Sequence, residues 1–252
     1  MIYSGVYHSN SDTGTLDKNI PYYTVSFSAN GGTGTQAAVL VEPGKSITLP
    51  SPSFTPPTGK HATRGWGTSA SGGTIYNYGT SYTPSRTITL YAQYAFNTYT
   101  IVYNGNGATG GTTSSTTHTY GTSKALAANG FYRRYTVSFN TNGGTSASQQ
   151  TAEYGFLTWN TEADGSGTSY SESQSVINLT TTDNATINLY AQWKPASITL
   201  PTSTKTDYTF RGWCETSAVN SVDHQGQDPY TPTANITLYA VWTSASGNAS
   251  GF

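Results

Sequence analysis

The chain has 252 residues and a formal net charge of −1, and only 9% of its residues are charged, against about 25% in an ordinary soluble domain. Its 11 Lys and Arg are matched by 12 Asp and Glu. The chain therefore has no excess of positive charge with which to bind nucleic acid or an anionic membrane surface. Aromatic residues make up 13% of the chain, which argues for packed cores and against disorder. No run approaches the roughly 18 apolar residues of a membrane span, so membrane insertion is not expected.

The first 22 residues are predicted to form an N-terminal arm. Ile2, Tyr3, Val6 and Tyr7 have strand-forming side chains, and we expect them to add to a sheet edge of this chain or of a neighbouring one. The arm lacks the basic and apolar regions of a secretory signal. Either a signal was removed, or the protein does not use that route, as is true of virion proteins.

Three opening segments then recur along the chain, at 23–27, 99–103 and 135–139. Aromatic and β-branched residues alternate in them with Thr or Ser at every position but Val102, which is the pattern of a half-buried strand. Each opening segment leads into a turn rich in Asn and Gly, and these residues accept the positive φ of tight turns. The turns contain Asn30-Gly31, Asn106-Gly107 and Asn142-Gly143.

Three further marks recur after the opening segments. The first is a Leu-Pro mark at 47–50 and 198–201, with a loose equivalent at 124–127. The second is a strand that ends in Trp, at 64–66, 156–159 and 210–213. The third is a closing segment of the form Leu-Tyr-Ala-x-aromatic, at 87–94, 186–193 and 235–242. No window has a helical period with caps, so the sequence predicts an all-β or β-rich fold.

Together these marks resemble the Listeria–Bacteroides repeat, the family of the internalin B-repeat. The resemblance covers roughly residues 23–94 and 99–242. It implies small β-grasp-like modules in tandem, of the kind found in extracellular bacterial or phage-encoded surface proteins. There they act as spacers, adhesion units or structural parts. The resemblance implies no catalytic residues.

The order of the marks predicts the domain organisation. We expect an arm at 1–22, repeat one at 23–96, repeat two at 97–194 with a surplus opening strand, repeat three at 195–242 without one of its own, and a polar tail at 243–252. A sheet that lacks a strand exposes unpaired backbone groups. We therefore predict that one surplus opening segment, 99–103 or 135–139, pairs into the last repeat. This pairing would make residues 99–242 one interlocked body.

The aromatic residues at equivalent places in the repeats are predicted to be a structural core, because small modules must bury their largest side chains. A sugar-stacking platform is the alternative. The set consists of Trp66, Trp159, Trp193, Trp213, Trp242, Tyr91, Tyr190 and Tyr239. Other tyrosines, Tyr76, Tyr78, Tyr120, Tyr132 and Tyr170, are expected to be partly exposed.

The sequence offers little for catalysis or metal binding. The four His lie far apart without ligand spacing, and the lone Cys214 rules out an internal disulfide. Residues 160–165 faintly resemble a calcium loop, but the twelfth position is Ser171, so a hairpin turn is favoured. No nucleophile with a base is evident. We therefore expect no enzymatic activity, no cofactor and no metal.

These features predict a non-enzymatic extracellular structural protein. We expect a virion decoration or fibre component, or a surface-filament subunit, whose partners are other protein subunits. The alternative is a bacterial adhesin or glycan-binding module, for which the partner is a cell-surface glycan. A secreted hydrolase ranks third. The predicted location is extracellular or the virion surface.

Overall fold

The computed structural model describes residues 6–7, 21–73 and 75–245. These residues form strands and turns and no helix, which confirms the all-β prediction. Gly, Thr and Ser, which are frequent throughout the sequence, have low helix propensity, and β-branched and aromatic residues suit a pleated surface. The β-grasp-like description of the modules stays a prediction.

The first eight strands span the N-terminal part of the chain. They are β1 (Val6–Tyr7), β2 (Tyr23–Ser28), β3 (Val39–Val41), β4 (Ile47–Thr48), β5 (Lys60–Gly67), β6 (Tyr76–Asn77), β7 (Ser81–Tyr82) and β8 (Ile88–Phe96). Six of them form one sheet in the order β1-β3-β2-β8-β5-β6, and β4 pairs with β7. The opening strand β2 runs parallel to the closing strand β8, so the two ends of repeat one are neighbours at the centre of the sheet.

One face of this sheet carries the first core. Alternate residues point inward, as the period of two requires. Val25, Trp66 and Leu90 are fully buried there, with Phe54 packed nearby.

The described part of the N-terminal arm joins the same sheet. Val6 and Tyr7 form β1, which pairs in parallel with Val39 and Leu40 of β3. The arm therefore covers an edge of its own chain. Ile2 and Tyr3 lie outside the described residues, as do residues 246–252 of the predicted tail, and pairing with a neighbouring chain stays a prediction.

Thirteen further strands are described after β8. They are β9 (Thr98–Asn104), β10 (Gly110–Gly111), β11 (Thr116–Thr119), β12 (Lys124–Ala125), β13 (Phe131–Asn140), β14 (Gln150–Asn160), β15 (Ser169–Tyr170), β16 (Ser175–Val176), β17 (Ala185–Lys194), β18 (Ile198–Thr199), β19 (Tyr208–Cys214), β20 (Pro229–Tyr230) and β21 (Ile236–Ser244). Seven follow the order β11-β9-β17-β14-β13-β21-β19, with β10 beside β13 and β15 beside β14. Two short pairs, β12–β16 and β18–β20, lie apart from this sheet.

The last repeat takes its opening strand from earlier in the chain. Strand β13 contains the segment 135–139 and runs parallel to β21, from Val137 opposite Ile236 to Asn140 opposite Tyr239. This confirms the prediction that a surplus opening segment pairs into the last repeat. Val137 packs in one core with Trp213 and Leu238.

Strand β14 contributes to two neighbouring strand pairs. Its residues 150–154 pair with β13, and its residues 155–160 pair with β17. A bulge leaves Leu157 without an opposite residue on β17, and Leu157 is 52% exposed. One continuous strand thus serves both the second and the third repeat.

The chain forms two compact units. The first comprises the described parts of 1–100 with 117–124 and 175–186, and the second comprises 101–116, 125–174 and the described part of 187–252. The prediction that 99–242 forms one interlocked body agrees with the shared sheet of β9 to β21, but residues 99–100, 117–124 and 175–186 group with the first unit. Segments 117–124 and 175–186 join the first unit because they bond to its strand ends. Tyr120 donates its backbone N–H to Asn97, whose amide donates to Thr181.

Candidate functional site

The strongest recurring arrangement in the molecule surrounds the Trp that ends each Trp strand. Trp66, Trp159 and Trp213 are all fully buried. Each indole N–H donates to the backbone carbonyl at or beside the Leu-Pro mark: Trp66 to Pro50 at 2.8 Å, Trp159 to Ala127 at 3.2 Å and Trp213 to Pro201 at 2.7 Å. The polar edge of each ring is thus satisfied inside the protein.

Each buried Trp also contacts an aromatic ring of an opening strand. The ring centroids of Phe27 and Trp66 lie 4.7 Å apart, those of Tyr103 and Trp159 4.7 Å, and those of Phe139 and Trp213 4.9 Å, all in tilted geometry. Tilted and edge-to-face pairs stabilise beyond their buried area. The faces of these three indoles are therefore occupied by the protein itself.

A second recurring arrangement lies in the turn after each opening strand. Asn30, Asn106 and Asn142 have φ of 48°, 46° and 48°, and the next Gly is also positive, which confirms the expected turn conformation. Each Asn amide donates to an Ala carbonyl of the closing strand: Asn30 to Ala92 at 2.8 Å, Asn106 to Ala191 at 2.9 Å and Asn142 to Ala240 at 2.8 Å. The turn is thereby tied to the closing strand.

The last aromatic residue of each closing segment donates a second hydrogen bond, from the closing strand back to a backbone carbonyl at the turn. Tyr94 donates its hydroxyl to Ala29 at 2.8 Å, Trp193 its indole N–H to Gly105 at 2.9 Å and Trp242 its indole N–H to Thr141 at 3.0 Å. Trp193 and Trp242 are half-buried, as are Tyr91, Tyr190 and Tyr239. We call the turn Asn and the closing aromatic of one repeat, with their two bonds, the clasp.

Sequence reasoning did not find the clasp. The signal was present, because the turn Asn and the closing aromatic recur at equivalent places in all three repeats. What the sequence lacked was the parallel pairing of the opening and closing strands, which brings these residues together in the first and third repeats.

Repeat three carries a polar cluster around His224 that has no counterpart among the described residues of the other repeats. His224 lies opposite Trp213, where repeat one has Tyr76 and repeat two has Tyr170. Its Nε2 is 2.9 Å from Glu215 Oε1, and the Tyr230 hydroxyl donates to the same oxygen at 3.3 Å.

The pKa is shifted for Tyr230 of this cluster and for the neighbouring Asp223. The pKa of Asp223 is lowered, chiefly by the backbone N–H of Glu215, which donates to it at 2.8 Å. The pKa of Tyr230 is raised by burial and then by the neighbouring Glu215 carboxylate. The sequence spacing gave no indication that His224, Glu215 and Tyr230 come together, so these contacts were missed.

The other candidate positions have ordinary structural partners. His61 Nδ1 lies 2.9 Å from Asn97 Oδ1 and 3.4 Å from Asp183 Oδ2. In the calcium-like segment Asn160 is fully buried, and its amide donates to the carbonyls of Gly165 and Gly167. The Asn160 side chain therefore organises this loop as a turn.

Within the described ranges no three His, Cys, Asp or Glu side chains converge in a way that could hold a metal ion. An open groove of about 270 Å³ lies over the glycine-rich turn of repeat two. It is lined by Asn104, Gly105, Asn106, Gly107, Ala108, Gly110, Gly111 and Phe131. Four of its eight lining residues are glycines, and Phe131 is half-buried.

Comparison with known proteins agrees with this geometry. The model of the Listeria-Bacteroides repeat domain matches residues 23–93, 135–155 and 194–241. The chain therefore belongs to the Listeria-Bacteroides repeat family. The match at 135–155 contains the opening segment that pairs into repeat three.

A protein of Evansella cellulosilytica named "Putative membrane protein" is similar to this chain. The two are 30% identical over 174 residues, which is 68% of this chain and 22% of that protein. The family to which the chain belongs is typical of bacterial surface proteins, and the chain spans about a fifth of this relative's length. No helix among the residues the structure describes is long and apolar enough to cross a bilayer.

Proposed function

We propose that this chain is a non-enzymatic structural part exposed outside the cell, which works by assembly with other protein subunits. One observation carries the proposal. The side chains best suited to binding, namely the Trp rings and the turn Asn amides, are bonded inside the repeats at equivalent places. A surface of Thr, Ser and Asn with few charges gives little repulsion between copies packed side by side.

Within this class we propose a decoration or fibre component of a virion, or a subunit of a surface filament. The edge-covering strand β1 supports this proposal, because it shows that an extended segment from outside repeat one is accepted at the edge of β3. Size-exclusion chromatography and electron microscopy of the purified chain test it. We expect ordered assemblies, and a monomer at all concentrations would contradict the proposal.

A second candidate is an adhesin or glycan-binding module. It is favoured by the groove beside Phe131 and by the exposed rings of Tyr132 and Tyr208, which are 44% and 43% exposed. A glycan array separates the two candidates. A clear glycan hit that is lost in Phe131→Ala but kept in Tyr208→Ala would place the glycan in the groove and displace the assembly proposal.

A further inference from the structure

In two repeats the strand that begins the repeat and the strand that ends it are parallel neighbours. In repeat one, four residue pairs join β2 to β8, from Val25 opposite Ile88 to Ser28 opposite Tyr91. In repeat three, four pairs join β13 to β21. Because these strands are parallel, the end where the chain enters and the end where it leaves lie at opposite ends of the strand pair.

This arrangement decides how tension along the chain acts on repeat one. A pull on residue 21 and an opposite pull on residue 96 slide β2 along β8. The hydrogen bonds of a parallel ladder are slanted and evenly spaced, and each joins one strand to the other, so sliding strains them together. A pull that separates two strands from one end would instead break the bonds one after another. The rate of forced unfolding is set by this barrier.

Side-chain bonds extend the strained ladder at both of its ends. At the entry end, Thr87 Oγ1 accepts from the backbone N–H of Thr24 at 3.1 Å. At the exit end, the clasp adds the bonds from Asn30 to Ala92 and from Tyr94 to Ala29. Repeat three has the same additions: Asn235 Oδ1 accepts from the backbone N–H of Thr136 at 2.9 Å, and its clasp joins Asn142 to Ala240 and Trp242 to Thr141.

We propose that repeat one is a load-bearing element, in which the β2–β8 pair and its clasp resist tension applied along the chain. This proposal adds a mechanical role to the proposed function. It rests on the proposed function only because an exposed structural part supplies the tension. A structural part on an exposed surface is pulled when the particle or cell that carries it is held at the other end.

Single-molecule pulling on the full chain tests the proposal with two pairs of attachment points. Pro21→Cys with Phe96→Cys pulls the two strands in shear. Pro21→Cys with Ser85→Cys pulls both strands from the same end. All three positions are exposed, and the native Cys214 is 1% exposed and so protected from coupling.

At the same constant load we expect unfolding in the shear geometry to be slower by about tenfold or more, which corresponds to about 1.4 kcal/mol in the barrier. Equal or faster unfolding in the shear geometry would overturn the proposal. The two double variants differ at one attachment site, so equal free energies of unfolding in urea are the control that assigns the difference in rate to the direction of pulling.

Asn30→Gly tests the clasp, because Gly accepts the positive φ while the amide is lost. This variant loses the amide bonds to Ala92 and to Ala70. We expect it to unfold about fivefold faster under shear, and at an unchanged rate when the strands are pulled from one end. Val41→Ala is the matched control, since buried Val41 lies on β3 outside the loaded pair.

The control should accelerate unfolding in both geometries. An Asn30→Gly effect of equal size in both geometries would contradict the role of the clasp. Both measurements use the purified chain, so they are independent of the assembly and glycan tests, and either proposal can fail without the other.

Discussion

Each Trp that ends a Trp strand fills a core and also donates a hydrogen bond. Trp66 shows why both matter, since its ring is fully buried and its indole N–H reaches the Pro50 carbonyl at 2.8 Å. A buried carbonyl that loses its donor carries a desolvation cost. The burial and the bond together explain why Trp, rather than Phe, stands at this place.

We predict that Trp66→Phe lowers the free energy of unfolding by about 2 to 3 kcal/mol, from lost volume and an unpaired carbonyl. Urea unfolding followed by circular dichroism measures it. Leu157→Ala is the control, because Leu157 is 52% exposed, and it should shift stability by less than about 0.5 kcal/mol. A Trp66→Phe variant as stable as the control would show that the buried bond is unimportant.

The turn Asn residues combine a backbone requirement with a side-chain bond. Asn142 has φ 48° and donates to Ala240. We predict that Asn142→Gly loses about 1 kcal/mol of stability, and that Asn142→Ala loses about 1 to 2 kcal/mol more because Ala disfavours positive φ. Denaturant titration of both variants checks this ranking, and equal losses would show that the backbone conformation contributes nothing.

His118 predicts a pH dependence of stability. It is 1% exposed, its ring stacks on Tyr99 at 5.5 Å, and burial followed by the charge of Lys124 lowers its pKa. In the unfolded chain a His takes up its proton near pH 6.5. Below that pH the unfolded state binds a proton that the folded state resists, so stability falls as the pH drops through about 6.5 and levels off below the folded pKa.

We therefore expect the free energy of unfolding of His118→Gln to fall less than that of the natural chain as the pH is lowered from 7.5 to below 6.5. Urea midpoints of the natural chain and the variant over this range measure the effect. Parallel curves for the two proteins would show that another group causes the acid sensitivity.

At the scale of strands, β13 shows how pairing can override chain order. It follows the opening strand of repeat two and precedes that repeat's Trp strand, yet it pairs in parallel with β21. Residues 150–154 of β14 cover its other side. The third repeat is thereby completed by a strand that lies almost a hundred residues earlier, as the 99-residue separation of the Thr136–Asn235 bond shows.

We predict that Ser138→Pro breaks this pairing, since Pro removes a backbone donor and is excluded from central strands. Ser138 lies opposite Thr237 in the ladder. Hydrogen exchange should show lost protection in peptides of β21 while β8 stays protected. Ser26→Pro, opposite Thr89 in repeat one, is the reciprocal variant and should expose β8 and spare β21. Loss of protection in both strands with either variant would contradict separate pairing.

For the molecule as a whole, the scarcity of charge decides its response to salt. Only 9% of residues are charged, and within the described ranges the ion pairs are those of His61 with Asp183 and of His224 with Glu215. Exposed ion pairs contribute about 0 to 1 kcal/mol and are screened by salt.

We therefore expect the free energy of unfolding to change by less than about 1 kcal/mol between low and high NaCl at neutral pH. Urea titrations at the two salt concentrations check this, with Na₂SO₄ as a comparison because sulfate strengthens apolar burial. A large loss of stability in NaCl would reveal an electrostatic contribution that these contacts do not contain.

The sequence by itself determined the strands, the turns and the family, because alternation, Asn-Gly pairs and the recurring Trp are local signals with direct backbone consequences. It also showed that the last repeat lacks an opening strand. Only the tertiary structure decided that β13 supplies that strand, that β14 serves two repeats, and that 117–124 and 175–186 belong to the first unit. The sequence contained the recurring residues of the clasp but not the pairing of opening and closing strands that joins them. The Glu215–His224 contact spans only nine residues and depends on the turn that brings His224 opposite Trp213. Pairing between distant strands depends on which unpaired edges remain in the folded molecule, and no local pattern records that.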